Sequence, residues 1–264
     1  MARVDRFKFG AIYNPNQFGG PGEDASNRGF GHVKAYHKRP WKESPYRIPN
    51  EWICSRLGEL IGLPVPPCVL TASAIPDSPV VFSTLDFNIH RDNLPPIDGE
   101  ACFRELAELS TGVVMFDIWI ANEDRHDTNL VVDNVLNPTS MQVFDHDQAL
   151  FGGFHVAGRE RFVKLRNRLG ITGGTITGGN RHCLLDAMTS DEYITKWANR
   201  ICLVPDYFIE KLCWDMECRG LIDDQDAKDA VEFLHYRKHH LELLIEQNRS
   251  EFTRIAQWKP GRLV

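Results

Sequence analysis

The spacing of apolar residues divides the chain into a strand-rich first third and a helical remainder. Residues 6–13 and 30–36 each read as a short strand, separated by a loop too rich in Gly and Pro for regular structure. Breakers through residues 39–49 precede a helix beginning near Asn50, with Ile53, Leu57, Leu60 and Ile61 on one face and Gly62 and Pro64 ending it. Residues 66–74 and 80–84 are two further strands, and 85–96 form a polar, proline-ended connector suited to a hinge. From Glu100 the residues Phe103, Leu106, Leu109, Val113, Phe116 and Ile120 recur at three and four positions, predicting one long amphipathic helix.

That helix runs into the most chemically loaded stretch, Asn122 to Leu130. Residues 130–132 and 141–144 follow as short strands about an Asn-Pro turn, a hairpin with Asp124 at one end and Asp145 at the other. Beyond Phe151 the pattern is irregular, including a Gly/Thr stretch over 170–180 that cannot pack a core and reads as a flap or a loose insertion. Helices then fill 191–201, 205–217 and 223–248, the first opened by a capping box of Thr189 with Glu192.

Composition narrows the class. A chain of 264 residues that is 42% hydrophobic can bury a substantial core, and none of its segments approaches the roughly 18 uninterrupted apolar residues of a membrane span. The N-terminus lacks the apolar region of a secretory signal, so a cytoplasmic location is expected. A net charge of −6 argues against a broad phosphate-backbone footprint, and no direct nucleic-acid partner is expected. Seven scattered cysteines with no Cys-x-x-Cys pair read as reduced, packed thiols.

Asp124, a carboxamide at Asn129 and a carboxylate sixteen residues later at Asp145 form a set that can manage a hydroxyl nucleophile and Mg·ATP. Asp124 would orient or deprotonate the acceptor; Asn129 and Asp145 would supply hard oxygen ligands for Mg²⁺. Alternation through Met141, Val143 and Asp145 favours Asp145 as the metal ligand, with Asp147 the other candidate. An Asp-x-Asp pair also occurs in phosphatases, but their nucleophile context is absent here. Asp117, on the long helix, is expected to be structural and to bond the loop.

Asp124, Arg125, His126 and Asn129, followed by Leu130, match the Asp-Arg-His-x-x-Asn catalytic loop of phosphatidylinositol 3- and 4-kinases, and the layout over residues 30–150 resembles the small bacterial HipA-like kinases. In that resemblance Lys34 is the strand lysine holding ATP phosphates, Glu51 on the Asn-Glu helix is its partner, and the aspartate after Phe144 binds metal. It implies an α+β, two-lobed protein-kinase-like fold, with a strand-rich N-lobe over 1–88 and a helical C-lobe over 89–264. It further implies an ATP- and Mg²⁺-dependent kinase acting on a serine or threonine hydroxyl of a protein. Arg125 would form a salt bridge within the catalytic loop, and His126 would pack beside the acceptor.

The sequence departs from the family in three places. The N-terminal subdomain of full-length HipA is missing, which leaves an antitoxin-type partner unsupported. Asp145-His146-Asp147 replaces Asp-Phe-Gly. Gly19, Gly20, Gly22, Gly29 and Gly31 make no compact phosphate-cradling pattern. A nucleotide-binding module without transfer activity, and a lipid or small-molecule kinase on the same core, are the competing readings.

Overall fold

The computed structural model describes residues 6–10, 32–72, 80–86, 97–153, 158–171 and 181–258. The glycine-rich loop, most of the expected hinge, the boundary at residue 88 and residues 172–180 of the Gly/Thr stretch lie outside them.

The arrangement is a mixed α/β one with small antiparallel sheets. Strands β1 (Arg6–Gly10), β2 (His32–Lys38), β3 (Cys68–Ala72) and β4 (Val80–Leu85) form a sheet in the order β1-β2-β4-β3. β2 is central, pairing Lys34 with Lys8 on one side and Lys38 with Phe82 on the other. Helix α1 (Arg47–Leu60) packs on β3 and β4. It starts earlier than expected, because Pro49 occupies its first turn. A first-turn N–H has no intrahelical partner, so a proline there interrupts nothing.

The long helix predicted from Glu100 is two helices, α2 (Gly99–Glu105) and α3 (Ala107–Trp119), broken at Leu106. Asp98 caps α2 by accepting from the Glu100 and Ala101 amides. Nor is α3 amphipathic: every residue from Ser110 to Trp119 is buried, which makes it the axis of the core. Hairpin β5 (Leu130–Val132) and β6 (Met141–Val143) follows, then α4 (Arg159–Leu165), α5 (Asp191–Cys202), α6 (Asp206–Cys218) and α7 (Asp224–Gln247). The cap of α5 is Ser190 and not Thr189, since the Ser190 hydroxyl accepts from the Glu192 amide. Among the described residues, no helix is long and apolar enough to cross a membrane.

Two contacts fix how the helices surround α3. Gly112 brings α3 against α5, since a Cβ there would lie 2.2 Å from the Trp197 ring. The Trp197 indole then donates to the Glu108 carbonyl at 2.9 Å, and Trp119 donates to the Leu234 carbonyl of α7 at 2.9 Å.

Arg237, fully buried on α7, reaches the C-terminal ends of two helices. Its guanidinium donates to the Ile118 and Trp119 carbonyls of α3 and to those of Leu165, Arg168 and Leu169 at the end of α4. The Ile118, Trp119 and Leu165 carbonyls lie in last turns, where a helix leaves its C=O groups without i+4 partners and carries the negative end of its macrodipole. Burial, helped by Arg161 and resisted by Glu123, lowers the Arg237 pKa to about 9, which leaves the group ionised at neutral pH.

Replacing Arg237 with Met strands several buried carbonyls and should lower the unfolding free energy by at least about 3 kcal/mol. Gly112→Ala gains about 1 kcal/mol of helix propensity, but overlap with Trp197 outweighs this and the melting temperature should fall. Denaturant and thermal unfolding check both; a more stable Gly112→Ala would mean that α3 and α5 do not approach this closely.

Candidate active site

Three segments meet beside α3, each held by buried polar contacts. The first is the N-terminal part of α1. Asn50 is fully buried there; its amide nitrogen donates to the Asp147 and Gly152 carbonyls at 2.7 and 2.9 Å, and its oxygen accepts from the Phe151 amide at 3.0 Å. Glu51, one residue on, accepts from the His146 amide at 3.1 Å. One turn of helix therefore fixes the backbone of 146–152.

The second segment is that backbone itself. β6 ends at Val143, and two residues later Asp145 takes a left-handed conformation, φ 63°. Aspartate tolerates this region better than most residues. A turn, and not strand alternation, therefore places the Asp145 carboxylate. Lys38, at the end of β2, reaches Glu51 by a short contact, Asp145 Oδ1 at 2.5 Å and Asp147 Oδ2 at 3.3 Å. Arg47 approaches Asp147 Oδ2 at 3.2 Å.

Among the described side chains the lysine that meets Glu51 is Lys38, whereas the side chain of Lys34, for which this pairing was expected, lies outside them. Lys34 lies four residues earlier on the same strand. The position of α1 against the sheet brings Glu51 to Lys38, at the end of β2.

The charges in this cluster do not cancel. Three carboxylates face two cations, and they are the one metal-capable group among the described residues, with ligand atoms within 4.8 Å of one another. Burial opposes the Lys38 charge, but Glu51, Asp145 and Asp147 hold its pKa above the ordinary lysine value. Burial likewise opposes ionisation of Glu51, and the Lys38 ammonium overrides it, keeping Glu51 below the usual carboxylate range. Asp147 behaves oppositely. Burial, helped by Asp145 and Glu51 and resisted by Lys38, raises it to about 6.

The third segment is the loop after α3. Asp117, fully buried, accepts two hydrogen bonds from Arg125, at 2.8 Å from Nε and 3.1 Å from Nη2, and one from the Asn122 amide at 3.0 Å. His182 adds another: its Nδ1 accepts from the Leu184 amide at 3.1 Å, so the ring hydrogen sits on Nε2 and is donated to Asp117 at 2.9 Å. Arg125 also donates to the Asn129 and Phe144 carbonyls, tying the loop to the end of β6. Asp117 bonds the loop as expected. Arg125 finds its carboxylate on α3, outside the loop, and its side chain is enclosed.

Asp124 is left half-exposed at the mouth of this arrangement, where burial raises its pKa above the ordinary aspartate value. Its carbonyl accepts from the Asn129 amide nitrogen at 2.9 Å, which leaves the Asn129 oxygen as the atom able to coordinate a cation. His126 lies beside Asp124, with Nε2 4.0 Å from Oδ2, and its Nδ1 is 2.8 Å from the Thr128 hydroxyl. Five expected residues are thereby gathered: Glu51, Asp124, Asn129, Asp145 and Asp147. Sequence reasoning passed over Lys38, Arg47, Asn122, Gln148 and His182. Lys38 and Arg47 were legible as cations near α1, whereas His182 lies beyond an irregular segment and no local signal marks it.

No family model matches the chain, and no curated protein matches it in sequence. Among solved structures, the crystal structure of a Helicobacter pylori proinflammatory kinase, CtkA, is similar with a TM-score of 0.50. It covers 94% of this chain and 97% of that one at 16% identity. The fold is one that a kinase also has. At this identity the likeness is one of fold alone.

Burial alone would raise the Asp117 carboxyl, but Arg125 and His182 hold it well below the usual range. A carboxylate depressed in the folded state stabilises it fully above the unfolded pKa of about 4, and the stabilisation fades as pH falls towards the folded value. Asp117→Asn should therefore be strongly destabilised at pH 7, with the gap to wild type narrowing below about pH 4. Denaturant unfolding across that range tests it; a gap independent of pH would contradict the ionised pairing.

Proposed function

We propose that this protein is an ATP- and Mg²⁺-dependent phosphotransferase of the HipA-like kind, moving the γ-phosphate of ATP to a serine or threonine hydroxyl of a protein. The observation that carries this reading is the contact of the Lys38–Glu51 pair with Asp145, on a segment that the Asp124–Asn129 loop also reaches through Arg125 and Gln148. These are the parts phosphoryl transfer needs, supplied by three separated segments. The similarity of fold to a kinase supports it. In this reading the nucleotide lies in a cleft between the β1–β4 sheet with α1 and the helices that follow.

The donor set fits Mg²⁺: carboxylate oxygens of Asp145 and Asp147 and the free amide oxygen of Asn129 are hard ligands, and the local excess of negative charge suits a divalent cation. Bound there, Mg²⁺ would neutralise phosphate charge. The remaining work belongs to the chain. Lys38, its ammonium positioned by buried Glu51, binds the α- and β-phosphates. Asp124 accepts a hydrogen bond from the acceptor hydroxyl and aligns it for in-line attack. Arg125, His182 and Asn122, through Asp117, fix the loop that carries Asp124. Asp145 is the more exposed of the two aspartates, whereas Arg47 engages Asp147, so Asp145 is assigned as the principal ligand and Asp147 as its neighbour. His126 borders the acceptor.

The test is transfer from γ-labelled ATP by purified protein. Label on protein is the expected outcome. Nucleotide binding without transfer would make the chain an interaction module, and label only on an added lipid or metabolite would change the acceptor class. Lys38→Met should reduce transfer by at least about 100-fold while Lys34→Met stays near wild type, and Asp124→Ala should lose transfer but keep Mg·ATP binding. A dead Lys34→Met beside an active Lys38→Met would refute the assignment.

A further inference from the structure

The Asp124 carboxylate is not free to turn. Gln148, three residues after the left-handed Asp145 and in no motif, places its side-chain amide 2.9 Å from Asp124 Oδ2. A carboxylate only accepts, so the Gln148 nitrogen must be the atom facing it. The backbone on both sides of Gln148 is held: Asn50 donates to the Asp147 carbonyl and accepts from the Phe151 amide, and the Ala149 amide donates to the His146 carbonyl at 3.0 Å. Gly153 leaves the room the side chain needs, since a Cβ there would lie 3.0 Å from Gln148 Cγ and 3.1 Å from its Oε1. Leu150, at φ 33°, closes the turn, and its amide donates to the Ile120 carbonyl at 2.8 Å just before the Asp124 loop.

We infer that Gln148 is a positioning residue for phosphoryl transfer: by holding Asp124 Oδ2 it locks the plane of the carboxylate and reserves Oδ1 for the acceptor hydroxyl. The inference rests on the phosphotransferase reading. A donor on a carboxylate also makes it a poorer base, so the sign of the effect needs deciding. In a loose transition state little proton transfer is required of Asp124 and its alignment dominates, so the orienting effect wins. Gln148 also belongs to the Asp145–Asp147 segment, so one amide keeps the acceptor-aligning group in register with the groups assigned to the metal.

Steady-state transfer by five proteins tests this: wild type, Gln148→Met, Gln148→Asn, Asp124→Asn and the Gln148→Met/Asp124→Asn double variant. Gln148→Met keeps the length of the side chain and removes the donor. It should lower kcat by about 10- to 100-fold, with the KM for ATP and the melting temperature unchanged. In the Asp124→Asn background the same change should alter the residual rate by less than about twofold, because the group it positions is gone. Gln148→Asn, which retains an amide one methylene short, should show the same loss and guards against a folding defect peculiar to methionine. Wild-type kcat in either Gln148 single variant overturns the role of Gln148, as does an equal loss on Gln148→Met in both Asp124 backgrounds. Absence of transfer by the wild type overturns the phosphotransferase reading itself, and the positioning role with it.

Discussion

A buried carboxylate at the end of a buried helix is the constraint on which the site depends. Asp117 sits where α3 has no exposed face, and an unpaired charge there would be prohibitively unfavourable. The chain answers with a bidentate arginine, a carboxamide and a histidine, drawn from the loop immediately after the helix and from residue 182. Satisfying Asp117 therefore dictates the path of residues 121–129. Because Arg125 also reaches the Phe144 carbonyl, the same requirement sets where β6 ends and where Asp145 begins. Apolar replacement of a buried ion network often leaves stability intact, but here it would release the loop carrying Asp124.

Two buried arginines extend this logic through the helices. Arg161 of α4 donates to the Leu150 and Ala121 carbonyls and pairs with Glu123, so it grips both left-handed residues flanking the site. Arg237 does the same for the ends of α3 and α4. Backbone that departs from ordinary geometry near the site is thus held by guanidinium groups whose planar forks span several carbonyls at once. Lysine at these positions could not make so many directed bonds.

The cluster around Lys38 has a different character. It is partly open, short by one positive charge, and its aspartate nearest Arg47 is held less readily ionised. Structural ion pairs tend towards neutrality, whereas sites that receive a cation or a phosphate leave charge unbalanced. The Asp117 network is thus saturated with donors, whereas the Lys38 cluster keeps an excess of negative charge.

Local pattern was sufficient for α5, α6 and α7, whose periodicity and polar flanks fix their ends to within about a residue of those observed. Residue type and spacing singled out Asp124, Asn129 and Asp145, and the family resemblance added Glu51; the fold brings Glu51 and Asp145 to Lys38. Local pattern failed where competing positions look alike along the chain. Several lysines lie close together in sequence ahead of α1, and it is the docking of α1 on the sheet that brings Lys38 to Glu51. The helix predicted as one from Glu100 breaks at Leu106, and its second half is buried on every side, which no amphipathic pattern announces. Gln148 and His182 carry no local mark at all. The sequence by itself determined which chemical groups this protein possesses and most of the helices, since both follow from side-chain type and short-range periodicity. The tertiary structure decided which groups meet, since the energy of a buried charge depends on partners brought from 65 or 95 residues away.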